Sequence, residues 1–473
     1  MKRKDFIRSS GLLGAGVISG SFSFANKYKN EFPVVRVPEN ERKFRSVAVD
    51  QAIQTFQAKV KNKELVWLFN NCFPNTLDTT VFYSVKNSKP ETYVITGDID
   101  AMWLRDSSAQ VFPYIRFANK DRPLQNLLKG VINKQVQFIL LDPYANAFYD
   151  DPNKTSKWVK DITEMKPGIH ERKWELDSLC YPIRLAFAYW RSTGDSSPFD
   201  KEWKRSVEKI LATFKEQQRK ENDGPYKFQR ETANANSSVQ MYGYGYPVKP
   251  VGLIASIFRP SDDVTIFPFL VPSNFFAVTS LRQASEMVSS ISKDSSLAKE
   301  LFLLANEVEM ALKKHAIVQH PKYGKIYAFE INGYDSHLLM DDANVPSLLS
   351  MPYLKSMSRT DPVYMNTRRF IWSSDNPFFY QGAAAEGIGG PHIGKNMIWP
   401  MSIIMKAFTS VDDKELKWCI DTLKNTHAGT GFMHEAFNKD DPKRFTRKWF
   451  AWTNTLFGEL LWKVMLEKPY LLT

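Results

Sequence analysis

The sequence predicts an all-α fold, an (α/α)6 toroid of six helical hairpins with minor β-hairpin decorations, and three observations carry that prediction. Apolar residues recur at three- and four-residue spacings over most of the 473-residue chain. Alternating strand patterns are scarce. Six carboxylate-rich or aromatic-rich motifs are each followed within a few residues by a helical stretch: Asp98 to Asp106, Glu175 to Asp177, Asp262-Asp263, Asp341-Asp342, Pro391-His392 and His434-Glu435. Six motifs match six hairpins, and hairpins closed into a ring would turn all their loops at one end toward a single cavity. An open helical solenoid would have shorter and more uniform repeats.

Taken in order, the periodicity predicts helices over Val47 to Phe69, Leu124 to Leu141, Leu179 to Ser192, Lys201 to Lys220 and Ser273 to Ser292. It continues over Ser296 to His315, Ile398 to Thr409, Asp412 to Asn425 and Asn454 to Glu467. Only Val81 to Val85 and Ile326 to Glu330 read as strands, each short enough for a hairpin on a helical body.

No linker, low-complexity tract or charge block divides the chain, and its aromatic residues are spread along its length, so residues 40–473 are expected to form a single catalytic domain. A hydrophobic content of 43% with 24% charged residues suits a soluble protein with a sizeable core. The formal charge of +12 is scattered and partly carried by the N-terminus, and no nucleic-acid motif accompanies it, so no nucleic-acid partner is expected. Cys72, Cys180 and Cys419 lack zinc-site spacing and are expected as buried free thiols, with one disulfide left open.

Residues 1–25 read as an export signal peptide, with basic Lys2-Arg3-Lys4, an apolar Gly11 to Phe22 and small residues at Ser23 and Ala25. Cleavage is expected after Ala25. Arg3-Lys4-Asp5-Phe6-Ile7-Arg8 is twin-arginine-like with Lys in place of the second Arg. Residues 26–39 would be a flexible N-terminal segment. The apolar run is too short to span a bilayer, so no stable membrane insertion is expected, and the mature protein would be periplasmic or secreted.

Thr96 to Ser108 carries the densest chemistry. Asp98, Asp100, Arg105 and Asp106 crowd around Met102, Trp103 and Leu104, which implies a partly buried polar site, because charged side chains are seldom buried without partners. Carbohydrate sites need this mixture: carboxylates and Arg grip hydroxyls, and an aromatic face packs on the sugar ring. The plainer reading is a helix start capped by Asp98 or Asp100.

Glu175 and Asp177 precede a helix that Asp177 or Ser178 could cap. Asp262 and Asp263 follow Arg259-Pro260-Ser261 between apolar stretches, where one carboxyl would have the raised pKa that a general acid needs. Asp341-Asp342-Ala343-Asn344 lacks the spacing of a calcium loop and reads as capping or sugar contact. Gly243-Tyr244-Gly245-Tyr246 reads as an aromatic loop over a sugar subsite. His434-Glu435, in a glycine-bearing loop followed by Trp449 and Trp452, offers a catalytic base. No nucleophile elbow, phosphate loop or dinucleotide fingerprint supports an esterase, kinase or dehydrogenase.

In this order the motifs Gly97 to Ser108, Glu175-Leu176-Asp177-Ser178, Arg259 to Asp263, Asp341 to Asn344 and His434-Glu435 resemble glycoside hydrolase family 125, the metal-independent exo-acting α-1,6-mannosidases, over about Asn40 to Glu467. The resemblance implies the (α/α)6 fold and an inverting single displacement that releases terminal mannose from mannan or N-glycan-type mannosides, with no metal or cofactor. It implies an Asp of Ser261-Asp262-Asp263 as general acid, Asp262 favoured and Asp263 the alternative, and Glu435 as general base. Asp98, Asp100, Trp103, Arg105, Asp106, Glu175, Asp177 and His434 would shape the terminal mannose subsite. Two other readings stay open: a non-catalytic glycan-binding protein, and a toroidal hydrolase or phosphorylase acting on another glycan.

Overall fold

The computed structural model describes residues 32–473; the leader expected over 1–25, and residues 26–31 of the segment after it, lie outside the described residues. Val35–Thr473 form one compact unit. Its helices are α1 (Val47–Lys59), α2 (Lys63–Cys72), α3 (Asn75–Thr79), α4 (Leu104–Val111), α5 (Arg122–Leu141), α6 (Leu176–Thr193) and α7 (Lys201–Gln217). They continue as α8 (Val271–Met287), α9 (Ser295–His315), α10 (Pro362–Ile371), α11 (Pro400–Thr409), α12 (Asp413–Asn425) and α13 (Ala451–Glu467).

Local chemistry sets most helix ends. The helix expected over Val47 to Phe69 is two helices, because the Asn62 side chain accepts from the backbone N–H of Leu65 and starts α2. Asp121, Asp200, Asp294, Asp361 and Asp412 cap α5, α7, α9, α10 and α12 in the same way. Gly194, at φ 70°, ends α6 in the left-handed conformation that glycine adopts without a Cβ clash. The periodicity expected over Ser273 to Ser292 passes from α8 into one π-helical turn at Val288–Ser292. The periodic reading missed α3, α4 and α10, all short.

The helices divide by burial. α7 buries Trp203, Val207, Ile210, Leu211 and Phe214 on one stripe, and α9 buries Leu297, Leu301, Leu304, Val308 and Leu312, so each keeps a solvent face. α4, α11 and α13 are buried almost all round. α13 packs against α2, α3, α4 and α11, α4 against α6, and α6 against α8. The last helix is tied to the start of the chain by buried polar contacts: Thr455 to Thr76 at 2.8 Å, and Asn454 Nδ2 donating to Asn75 Oδ1 at 3.1 Å. Cys72, Cys180 and Cys419 are buried free thiols.

Strands are short and antiparallel. Val81–Lys86 pairs with Lys89–Val94 as a hairpin. The strand expected over Ile326 to Glu330 is divided: Gly324–Tyr327 pairs with Ile317–His320, whereas Glu330–Ile331 pairs with Phe269–Leu270 and His337–Leu338. Two three-stranded sheets bear on function. One joins Met102–Trp103, Ala147–Phe148 and Ile169–Glu171; the other joins Met397–Ile398, Ala436–Asn438 and Phe445–Thr446. Each anchors loops that carry charged side chains.

Gly130, within α5, lets the helix lie against the Lys89–Val94 strand. A Cβ there would stand 2.3 Å from Thr92 Oγ1 and 2.8 Å from the backbone of Glu91 and Thr92. Alanine would gain about 1 kcal/mol in helix propensity, but rigid backbone cannot move aside as a side chain can, and overpacking costs about 1–3 kcal/mol. Gly130→Ala is therefore expected to lower the melting temperature. An unchanged or raised value would show that α5 can move off the strand.

Candidate active site

Arg105, in the first turn of α4, lies almost wholly buried and faces four carboxylates. It bonds Glu175, and its guanidinium nitrogens lie 3.4 Å from Asp106, 3.7 Å from Asp177 and 3.5 Å from Asp262. Glu175 occupies the cap position of α6, but its side chain caps nothing; it is turned to Arg105 and accepts from Ser178 Oγ at 2.7 Å. The capping expected of Asp177 or Ser178 is absent because both follow the true helix start.

One guanidinium cannot neutralise four carboxylates, and burial favours the uncharged form of each. Burial pushes the Asp106 carboxyl up, lifts Glu175 well above the carboxylate range against the pull of Arg105, and raises Asp177 to about 7. No side-chain donor lies within hydrogen-bond reach of either Asp177 oxygen. Asp262 goes the other way. Burial pushes it up, but Lys173 and Arg105 outweigh that and hold its carboxyl below the usual range. The apolar surroundings expected to raise it are replaced by cations, and the raised carboxyl is its neighbour Glu175.

Asp262 sits at φ 66°, a left-handed conformation that Asp tolerates better than most residues, at the tip of a loop closed by the Phe258 to Val264 bridge. The loop is braced by the buried Arg259–Glu330 pair at 2.6 Å, by Ser261 donating to Asp342 at 2.9 Å, and by Lys173 Nζ donating to the Asp262 carbonyl at 3.0 Å. These contacts hold Asp262 in a cavity of about 420 Å³, its side chain 24% exposed. Asp263 is buried and does not line that cavity: it accepts from Ser261 Oγ at 3.3 Å and lies 3.8 Å from His392. Burial lowers the His392 pKa, but Asp263, with help from Asp262 and Glu435, brings it up to about 9.

Glu435 reaches the same cavity from the loop before the Ala436–Asn438 strand. Arg447 donates to it at 3.3 Å, to the Thr96 carbonyl at 2.8 Å and to Asp98, so one side chain joins the first motif to the last. Trp103 and Trp399 line the walls, and their buried indole N–H groups have no hydrogen-bond partner. Trp158, with the Arg230 guanidinium 3.7 Å over its ring, lines the cavity as well.

Asp98, Trp103, Arg105, Asp106, Asp262 and Glu435 therefore meet around one cavity, and the other expected residues do not. Glu175 and Asp177 lie buried in the layer behind it. Asp100 turns outward, 72% exposed, and pairs with Lys154 at 2.9 Å. His434 is also turned away from the cavity. It stacks on Phe445 at 3.9 Å and bonds the Lys448 carbonyl at 2.8 Å, and burial lowers its pKa. Asp341 accepts from the backbone of Leu348 and Leu349, which form a turn and not a helix start, while Asn344 of the same motif reaches the cavity. The Gly243 to Tyr246 stretch does not line it; Ser237, earlier in that loop, does.

Sequence reasoning missed Asn146, Lys173, Arg230 and Arg447, which stand outside any motif, and left His392 and Trp399 without a role. A larger furrow of about 830 Å³ between α7 and α9 is half lined by Lys and Glu side chains, including the pairs Lys215–Glu300 and Lys220–Glu307. It has neither the aromatic walls nor the convergent buried carboxylates.

Comparison with known proteins agrees with this geometry. Residues 62–462 match the family model of metal-independent α-mannosidases, glycoside hydrolase family 125, and the chain belongs to that family. The meiotically up-regulated gene 157 protein of Schizosaccharomyces pombe is 40% identical over 458 residues, covering 93% of this chain and 90% of its own. A solved α-mannosidase from Streptococcus pneumoniae, in a non-productive complex with α-1,6-mannobiose, is 38% identical, covering 90% of this chain and 100% of its own at a TM-score of 0.86. A bacterial glucoamylase shares the fold alone, at 13% identity and a TM-score of 0.53 over 88% of this chain and 59% of its own.

The raised Asp177 pKa has a consequence for folding. Its folded value of about 7 exceeds the unfolded one, so the native state binds the extra proton. The stability this brings is full below about pH 4 and is lost as pH rises through about 7. Asp177→Asn should flatten that dependence, by at most about 4 kcal/mol at 1.4 kcal/mol per unit. Urea unfolding of both proteins at about pH 5 and about pH 8 would test it, and an unchanged slope would assign the pH dependence to other groups.

Proposed function

We propose that this α-mannosidase acts from chain ends, releasing terminal non-reducing α-1,6-linked mannose from mannan or N-glycan-type mannosides by inversion, with Asp262 as general acid and Glu435 as general base. The observation that carries the reading is that these two carboxyls line one cavity while Asp263 is buried and does not. Inversion calls for carboxyls about 6.5–9.5 Å apart, with room for a water beneath the anomeric carbon. Asp262 gives its proton to the glycosidic oxygen as the bond from C1 to that oxygen breaks and its electron pair stays with the oxygen. Water bonds to C1 from the opposite face and gives a proton to Glu435, and β-mannose leaves.

The wider assignments follow the same reading. Trp103, Trp399, Asp98, Asp106 and Arg447 would hold the terminal sugar, the aromatic faces packing on its ring and the charged groups bonding its hydroxyls. The linkage preference is supported by the α-1,6-mannobiose bound to the Streptococcus pneumoniae relative. For the fold, we infer the (α/α)6 toroid, with α4, α6, α8, α11 and α13 on its inner ring; their burial and the packing of α13 against both α4 and α11 support it. Residues 40–473 would be its single catalytic domain, and the leader at 1–25 supports export to the periplasm or the medium.

Proton NMR of α-1,6-mannobiose hydrolysis tests the mechanism. The first anomeric signal is expected to be β-mannose, and early α-mannose would overturn inversion. Asp262→Ala and Glu435→Ala should each lower kcat by roughly 10²–10⁴-fold, and Asp263→Ala by much less. Activity should survive a chelator, as the carboxyl pair works without a metal.

A further inference from the structure

Asp262 faces the substrate side of the cavity but lies beside two cations that favour its ionised form, Arg105 and Lys173, which is the wrong environment for a group that must arrive carrying a proton. Directly behind it lies a second carboxyl. Glu175 has no exposed surface, so it cannot touch a substrate, yet it shares both of the polar contacts of the Asp262 side chain. Arg105 reaches Glu175 with one terminal nitrogen and Asp262 with the other. The Asn146 side-chain amide lies 3.3 Å from an oxygen of each. Two carboxyls clasped by the same two donors resist double ionisation, because like charges at such range repel strongly in a buried site.

We infer that Glu175 is a positioning residue that keeps one proton within the Glu175–Asp262 pair, so that Asp262 is supplied with the proton it gives to the leaving group. The inference rests on the reading of Asp262 as general acid. In the step, the O–H bond of Glu175 breaks as one forms on Asp262, and Asp262 passes that proton to the glycosidic oxygen. The pair is then doubly ionised between Arg105 and Lys173, and a solvent proton restores it before the next turnover. The other charged groups around the pair are Asp106 on α4, Asp177 on α6 and Glu171 beside Asn146. His170, His392 and Glu435 line the same cavity. The raised Glu175 and lowered Asp262 place the resting proton on the sealed member of the pair.

The test compares wild type, Glu175→Gln, Glu175→Asp and Asp262→Asn on two substrates: α-1,6-mannobiose, whose leaving group needs a proton, and 2,4-dinitrophenyl α-mannoside, whose leaving group does not. Glu175→Gln is expected to lose about 100-fold in kcat on mannobiose and far less on the aryl mannoside, as Asp262→Asn does, and the alkaline limb of its kcat/KM profile should move to lower pH. Glu175→Asp, which keeps the carboxyl, should recover part of the mannobiose activity, and it also serves as the test should Glu175→Gln not fold. Equal losses on both substrates, or an unmoved alkaline limb, would reduce Glu175 to a structural partner of Arg105 and overturn the inference while leaving Asp262 as the acid. If Asp262→Asn itself loses equally on both substrates, the acid assignment falls and the inference falls with it.

Discussion

The pairing of one buried arginine with more carboxylates than it can neutralise governs the centre of this molecule. Arg105 touches Asp106, Glu175, Asp177 and Asp262, contributed by α4, by the start of α6 and by the loop after Phe258. Removing charges from water costs several kcal/mol per ion, and mutual attraction offsets this only with good geometry. A cluster with surplus acid has a second way to lower that cost, which is to keep protons. The raised pKa values of Asp106, Glu175 and Asp177 are this response, so acid–base chemistry at neutral pH follows from the same imbalance that constrains the fold.

The helices supply rigidity, and the smallest elements supply aim. Two three-stranded sheets, with strands of only two or three residues, hold Trp103 and Glu171 on one side and bring Glu435 and Arg447 together on the other. Such sheets would not be stable alone. They persist because each caps the end of buried helices, and their loops in turn close the cavity. Arg447 joins Glu435 to Thr96 and Asp98, and Thr76 to Thr455 and Asn75 to Asn454 tie α3 to α13, so the geometry of the site depends on the two ends of the fold meeting.

Much of the site was legible residue by residue. An Arg among acids and a Trp in Asp98 to Asp106 pointed to a polar pocket, because such charges are seldom buried without partners. The adjacent acids Asp262 and Asp263 were ambiguous, since nothing local says which faces the substrate. Their roles separate through distant partners: Ser261 and His392 engage Asp263, while Arg105, Asn146 and Lys173 gather around Asp262. Asp100 and His434 looked like subsite residues through proximity in sequence alone. Lys154 holds Asp100 outside the cavity, and Phe445 with the Lys448 carbonyl holds His434.

The sequence by itself determined the helical class, most helix boundaries and the order of the motifs. Hydrophobic periodicity and capping act within a turn or two of helix, so they can be read from a short window. Only the tertiary structure decided which carboxyl would face the cavity, which would be sealed behind it, and that Lys173, Asn146 and Arg447 would join them. Those outcomes depend on desolvation and on charges contributed by segments hundreds of residues apart, and neither quantity exists until the chain has folded.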